Sequence, residues 1–113
     1  MKFEIVDFYP VEGKKKFIGT MHIYVIDYEL DIRGITVLKN GKYYLFLMPG
    51  KKVPDSEDPT KLVFYPMIDF TNRDKKKEVI DFLQKEGVKY VKEFYKEQAK
   101  QKKKDELYKK LVQ

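Results

Sequence analysis

The sequence predicts an α+β fold: a small antiparallel β-sheet of about five strands, arranged as a meander, with a C-terminal helix packed on it. Short runs rich in β-branched and aromatic residues fill the first two-thirds of the chain. The links between these runs are hairpin-sized and leave no room for crossover helices. After the segment DFTNRD, apolar residues recur at helical spacing instead.

Each predicted strand has strand composition and ends at a turn signal. The predicted strands are residues 3–9, 17–28, 29–38, 43–48 and 60–67. Gly34 indicates a bulge or kink inside the third strand. The segment KNGK, residues 39–42, contains Asn-Gly and predicts a hairpin between the third and fourth strands. Pro66 favours an edge or terminal position for the fifth strand, because proline cannot donate to the ladder.

The segment YYLFLMPGKKVPD, residues 43–55, combines the most apolar strand with a basic turn. Its first six residues are apolar or aromatic with no polar alternate. We therefore expect cover on both faces, by a helix on one and by a partner or crossing strand on the other. The Pro-Gly pair ends the run and predicts a turn that presents Lys51 and Lys52.

The helix has a clear start and one apolar stripe. Thr71 or Asn72 can cap it, and Asp74 and Glu78 lie near its positive end. Residues at helical spacing form the predicted buried face: Ile80, Leu83, Gly87, Val91 and Phe94.

The region around and after Gly87 leaves two points open. Gly87 is either a close-packing site or a joint between two helices. From Lys96 onward few residues can be buried, so this end is either a protruding helix or a frayed tail. We divide the chain into a domain of residues 1–95 and a lysine-rich helical extension of residues 96–113.

Composition limits the class of protein. A chain of 113 residues with 42% hydrophobic residues can form one core, and the absence of cysteine excludes disulfides and thiolate metal sites. The longest apolar run is far short of the ~20 residues that a membrane-spanning helix needs. The N-terminus has acids among its apolar residues and lacks a signal-peptide core. We expect a soluble, cytoplasmic protein without a membrane partner.

Residues that carry catalysis are scarce. The chain has one serine, Ser56, and one histidine, His22. These are too few residues to make a pair of nucleophile and general base a strong candidate. No phosphate-binding loop, dinucleotide motif or HExxH pattern occurs. We expect no enzymatic activity and no cofactor, and we expect His22 to be a packed strand residue.

A row of acids alternates in strand-like sequence where the second and third predicted strands meet, and in an extended chain the three would share one face: Asp27, Glu29 and Asp31. Such a row could hold Mg²⁺ or Ca²⁺, but no turn wraps oxygen ligands around an ion. A solvated face is the favoured interpretation, with the alternate side chains pointing inward: Tyr28, Leu30 and Ile32.

Positive charge is concentrated at the C-terminal end. Residues 89–113 hold nine lysines and four acids, a charge of +5, so the rest of the chain carries only +1 of the total of +6. At 100° per helical residue, six lysines fall within about 80° of arc opposite the apolar stripe. We call them the lysine stripe: Lys85, Lys89, Lys92, Lys96, Lys100 and Lys103. A merely solvated face usually mixes charge signs, so the stripe is either a surface for an acidic partner or an unusual solvated face.

Several segments resemble the SpoVG family, small bacterial proteins named for septation and sporulation. MPGKK at 48–52 is similar to the family's MPSKR-type turn, with Gly for Ser and Lys for Arg. FYPM at 64–67 resembles its AHPI element, with Tyr in the His position, and Arg73 matches the Arg that opens its helix. GITV at 34–37 stands in place of DIRV and lacks the Asp and Arg. The resemblance covers roughly residues 1–95.

The resemblance implies a homodimer that binds DNA or RNA as a regulator without catalysis. Exposed strand edges and two partly apolar faces of residues 17–28 also favour a homodimer. The expected nucleic-acid contacts are Lys51, Lys52, Arg73 and the lysine stripe. The alternative is a protein-interaction module in which the apolar strands serve assembly and the lysines only aid solubility.

Overall fold

The computed structural model describes residues 1–112 and has the α+β fold expected from the sequence. Its strands are β1 (Phe3–Pro10), β2 (Phe17–Val25), β3 (Leu30–Asn40), β4 (Tyr43–Leu47), β5 (Gly50–Pro54) and β6 (Leu62–Pro66). They form a four-stranded antiparallel sheet in the order β1-β2-β3-β4 and a separate two-stranded sheet of β5 and β6. One C-terminal helix of about 40 residues follows: α1 (Arg73–Phe82), a π-helical turn (Leu83–Gly87) and α2 (Val88–Val112).

Two glycines shape the four-stranded sheet where the sequence placed a bulge and a hairpin. The β2–β3 register shifts beside Gly34, which adopts a φ of 81°. Gly41, with a φ of 62°, is the first of two turn residues between the paired Asn40 and Tyr43. Both conformations are ones that a Cβ disfavours, so glycine is the residue that permits them.

The core lies between the four-stranded sheet and the helix. Its fully buried side chains come from β1, β2, β3 and both halves of the helix: Phe8, Met21, Ile23, Val25, Ile32, Ile35, Val37, Val79, Leu83 and Val91. Edge-to-face packing of Phe8 on Phe94, with ring centroids 5.3 Å apart, holds α2 against β1. The residue His22 is buried as predicted, with Nε2 2.8 Å from Asp31 Oδ1.

The helix begins where its cap predicts. Asn72 Oδ1 accepts hydrogen bonds from the backbone N–H groups of Asp74 and Lys75, at 2.9 and 3.1 Å. The predicted apolar stripe is correct except at its first position, because Val79 is buried and Ile80 is 43% exposed. The physical reason is the π-helical turn, which adds a residue to one turn and so changes the register of α1 relative to α2.

Gly87 is a close-packing site within a continuous helix rather than a joint between two. A Cβ at this position would lie 3.2 Å from the Phe46 ring, so glycine lets the helix approach β4. The side chain of Gln84 also joins the helix to this strand, because its Nε2 donates to the Tyr44 carbonyl oxygen at 2.8 Å.

The predicted row of acids does not form, because the second strand is shorter than expected. It ends at Val25, and a 3₁₀ turn (Ile26–Tyr28) follows, closed by Glu29 in the left-handed region with a φ of 49°. This turn breaks the alternation on which a shared face depends. Ile32 points inward as expected, but the other two side chains predicted to do so are exposed: Tyr28 and Leu30.

The acids of that segment have separate hydrogen-bond partners. Asp27 Oδ2 accepts from the backbone N–H of Lys2 at 2.7 Å, whereas Asp31 pairs with His22. Within residues 1–112, no three His, Cys, Asp or Glu side chains come together as a metal site would require.

The apolar run at 43–48 is covered along its whole length on one face only. It forms β4, the edge strand of the four-stranded sheet, and Tyr44, Phe46 and Met48 pack against the core. The alternate side chains face outward in the single chain, with Tyr43 82% and Leu45 53% exposed. Leu47 is half-buried in the groove beside Phe64, so within residues 1–112 the expected cover on the second face is missing only over Tyr43 and Leu45.

Lys51 and Lys52 lie in strand β5 and not in a turn, which corrects the sequence interpretation. Gly50 pairs with Pro66, and the Pro49 carbonyl oxygen accepts from the Met67 N–H at 2.8 Å. These contacts continue strand pairing directly after the bend at Pro49, so the chain has six strands where about five were predicted.

The last part of α2 is a protruding helix, which decides between the two alternatives for this end. From Tyr95 to Val112 every side chain is exposed. The radius of gyration is 17.6 Å, compared with about 13 Å for a compact domain of this length. Within residues 1–112, none of the helices combines the length and apolarity needed to cross a bilayer.

Candidate nucleic-acid interface

The lysine stripe lies on one continuous helix. The angular spacing that defines the stripe depends on this continuity through Gly87. Lys85 is in the π-helical turn, and the other five lysines are in α2. All six side chains are exposed. At 1.5 Å per residue the stripe extends for about 27 Å along the helix axis.

Most of the stripe is free of ion pairs. Lys96 lies 3.8 Å from Glu93, and Lys100 lies 3.7 Å from Glu97. Both pairs are exposed, and such pairs contribute only ~0.3–0.5 kcal/mol. The remaining stripe lysines have no carboxylate oxygen within 4.0 Å among the residues that the structure describes. Their charges are therefore available to an anion in solution.

The lysines at the start of the helix differ, because they are engaged within the chain. Lys76 Nζ donates to Asp69 Oδ2 at 2.9 Å, and this hydrogen bond holds the pKa of Asp69 below its ordinary value. Lys75 donates to the Tyr28 hydroxyl and lies over its ring, 4.9 Å from the centroid. The hydrogen bond to Tyr28 raises the pKa of Lys75. Neither lysine extends the stripe.

The residues implicated by the family resemblance lie at the other end of the helix. Arg73 is the exposed first residue of α1, about 18 Å along the axis from Lys85. Lys51 and Lys52 pair with Tyr65 and Phe64 in the β5–β6 hairpin. Because they are neighbours in a strand, their side chains point to opposite faces of that hairpin.

The hairpin itself lies against α1. Phe64 and Pro66 line a groove of about 340 Å³ together with Val79, Ile80 and Leu83. The structure thus divides the predicted site residues into two groups. The hairpin lysines and Arg73 belong to the α1 end, and the stripe follows α2 away from the sheet.

The exposed apolar side chains of the hairpin were not expected. Strand β6 and the segment after it expose a continuous apolar set: Leu62, Val63, Phe64, Tyr65, Met67 and Ile68. The two strands of this sheet pack closely only with each other, so side chains on both faces of the hairpin remain exposed. Large contiguous apolar patches are typical of surfaces that contact another molecule.

A second unpredicted feature is a groove of about 520 Å³ between β1 and the helix. Its lining includes three aromatic side chains and three acids. The lining residues are Phe3, Glu4, Ile5, Phe82, Glu86, Lys89, Tyr90 and Glu93. Burial raises the pKa of Tyr90, and the negative charge of nearby Asp7 acts in the same direction. The spacing of Glu86 and Glu93, seven residues apart on the helix, is a sequence signal that could have indicated this acidic side.

The chain was compared with protein-family models, with curated proteins and with solved structures, and none of the three comparisons found a match. The resemblance to the SpoVG family therefore rests on the segments quoted above. Membership in that family is part of the proposal that follows.

Proposed function

We propose that the protein is a non-catalytic, cytoplasmic regulator of the SpoVG type that binds DNA or RNA through phosphates and acts as a homodimer. The observation that carries the proposal is the lysine stripe on the protruding helix. Four of its lysines, Lys85, Lys89, Lys92 and Lys103, have no carboxylate partner within the described residues. A septation or sporulation role would follow from the family resemblance.

The dimensions of the stripe suit a nucleic-acid backbone. Duplex DNA carries one negative charge per about 1.7 Å of axis, so a stripe of about 27 Å faces roughly eight base pairs. Lysine is a compact charge that contacts phosphate without the bidentate geometry that arginine uses to identify guanine. We expect binding that depends strongly on salt and weakly on sequence.

Two surfaces support the homodimer. The outer edge of β4 is unpaired within the four-stranded sheet, and its outward side chains Tyr43 and Leu45 are exposed. The β5–β6 hairpin exposes a further apolar set, including Tyr65 and Met67. Unpaired edges and apolar patches of this kind favour association with another chain.

The same hairpin supports a second candidate function, a protein-interaction module. In that case the exposed apolar side chains of β6 contact another protein, and the lysines only keep the chain soluble. The two functions differ in what they predict for free nucleic acid, because only the first requires affinity for it.

Labelled duplex DNA, single-stranded DNA and RNA, each titrated with the protein at two salt concentrations, distinguish the candidates. The proposed function predicts binding at low salt to at least one of the three, with an affinity that falls steeply as salt rises. Absence of binding to all three at the lower salt concentration would refute it and favour the interaction module.

A further inference from the structure

The helix α2 carries a second row of residues beside the lysine stripe, which is half-buried at Tyr90 and exposed from Glu93 onward. Its members recur at the alternating spacings of three and four that coiled-coil contact positions have, with charged residues at the four central positions and apolar or aromatic residues at the ends. We call it the segregated row: Tyr90, Glu93, Glu97, Lys100, Lys104, Leu107 and Leu111. These residues lie along one side of the helix because α2 is continuous over this whole length.

From Glu93 onward no other element of the single chain covers the segregated row, and Glu97 and Lys100 lie 3.7 Å apart within it. The side chains of Glu97 and Lys100 are each 71% exposed, and Leu107 and Leu111 are 59% and 76% exposed. Two leucines one helical turn apart at the end of a protruding helix present apolar surface that nothing within residues 1–112 covers.

Charge along the segregated row changes sign at its middle. The N-terminal half carries the acids Glu93 and Glu97, and the C-terminal half carries the bases Lys100 and Lys104. Two copies placed antiparallel bring Glu97 opposite Lys100 and Glu93 opposite Lys104, twice over by symmetry. Two parallel copies would instead place like charges opposite each other, which is unfavourable.

The apolar ends of the row match in the same arrangement. With Glu97 opposite Lys100, Tyr90 of one copy faces Leu107 of the other, and Leu111 faces Glu86 at the groove beside β1. That groove offers the rings of Phe3 and Phe82, 5.1 Å apart, and has the space to receive a leucine side chain.

We propose that α2 pairs antiparallel with α2 of a second copy of this chain, with the segregated row as the contact. The inference rests on the homodimer in the proposed function and names one of its surfaces, but it does not depend on nucleic-acid binding. The two sheets do not collide, since packing on each helix ends near Tyr95. Along the axis the packed parts stay about 10 Å apart.

The antiparallel pair leaves most of the lysine stripe free. Only Lys100 belongs to both the stripe and the segregated row. Lys85 and Lys92 lie toward the side away from the second helix, whereas Lys89, Lys96 and Lys103 directly precede members of the row and flank the contact. The dimer would carry two stripes, one on each helix, so nucleic acid and the second copy use neighbouring faces.

A charge-swap experiment tests the pairing. One variant carries Glu93→Lys and Glu97→Lys, which makes the middle of the row wholly basic. The other carries Lys100→Glu and Lys104→Glu, which makes it wholly acidic. We expect each variant alone to dimerise about tenfold more weakly than the wild type or worse, because like charges then face each other. An equimolar mixture should restore a heterodimer, since basic and acidic rows are complementary.

Analytical ultracentrifugation of each protein and of the mixture measures these equilibria, with circular dichroism to confirm that each variant is helical. A matched control carries Asp105→Lys and Glu106→Lys, the same change in charge away from the row, and should dimerise like the wild type. If both swapped variants dimerise with the affinity of the wild type, or if they stay monomeric when mixed, the proposed interface is wrong and the homodimer itself still stands. A wild type that is monomeric at all concentrations would overturn both the interface and the proposed homodimer.

Discussion

Leu83 and Ile80 form a matched pair for testing the register of the helix on the sheet. Both belong to the apolar stripe predicted from sequence, and truncation of either to alanine removes three carbon atoms. In the structure Leu83 is 1% exposed and Ile80 is 43% exposed. Leu83→Ala should therefore cost about 3 kcal/mol of unfolding free energy, from lost burial plus the cavity left in the core. Ile80→Ala should cost only about 1 kcal/mol, because its site is half-solvated and opens onto a groove.

Urea denaturation followed by far-ultraviolet circular dichroism measures both values at one protein concentration. The reasoning predicts that the Leu83 variant loses at least twice as much stability as the Ile80 variant. Equal losses would contradict the register change at the π-helical turn, because a regular helix places both residues on the buried face.

Substitutions at three further sites test other parts of the fold. Gly50→Ala should open the β5–β6 hairpin, since a Cβ would clash with the Tyr65 carbonyl oxygen; unchanged resistance to limited proteolysis would contradict this. Asn72→Ala should lower the unfolding free energy by about 1 kcal/mol through loss of the helix cap, whereas Asn72→Asp should retain it; equal losses in denaturation would refute the cap. Asp69→Asn should destabilise the protein at pH 7. The pKa of Asp69 is lowered beside Lys76, so the ionised carboxylate stabilises the fold at pH values above its ordinary pKa of 3.8. That difference should vanish as the pH falls below the folded pKa, and a pH-independent difference would exclude the ionic origin.

Local chemistry made much of the fold predictable. Gly34 and the Asn-Gly pair at residues 40–41 permit the positive φ angles of a bulge and a hairpin turn, and both features formed where these residues predicted them. Asn72 caps the start of the helix, as its position in the sequence indicated. The apolar stripe from Leu83 onward was predictable from the helical spacing of its residues alone. In each case the signal lay within a few residues of the feature that it specified.

Features that depend on tertiary contacts were not predictable from residue patterns. Strand β5 has no apolar alternation around Lys51, and it is a strand only because β6 pairs with it. Glu29 reverses the chain after a 3₁₀ turn inside what looked like continuous strand sequence. The π-helical turn brings Gly87 against Phe46, a packing relation that no periodicity in the helix contains.

The candidate site divides in the same way. The six stripe lysines were found from their angular spacing, because helix geometry determines the faces of an exposed helix. The segregated row could not be distinguished from ordinary surface charge until α2 was seen to run unbroken to Val112. The hairpin patch around Tyr65 was missed because strand composition does not show which strands a helix covers.

The central claim is that nucleic acid is held through phosphates by the lysine stripe, and its most direct test is the salt dependence of duplex DNA binding in a triple variant. Each phosphate contact contributes about 0.9 to the slope of log affinity against log salt. Three stripe lysines are replaced by glutamine: Lys89, Lys92 and Lys96. A control carries the same three replacements at the lysines of residues 14–16, in the β1–β2 loop. The account predicts a slope shallower by roughly 2 to 3 in the stripe variant, weaker binding to all sequences alike, and a control close to wild type. A stripe variant that binds as tightly as wild type with the same slope would contradict it.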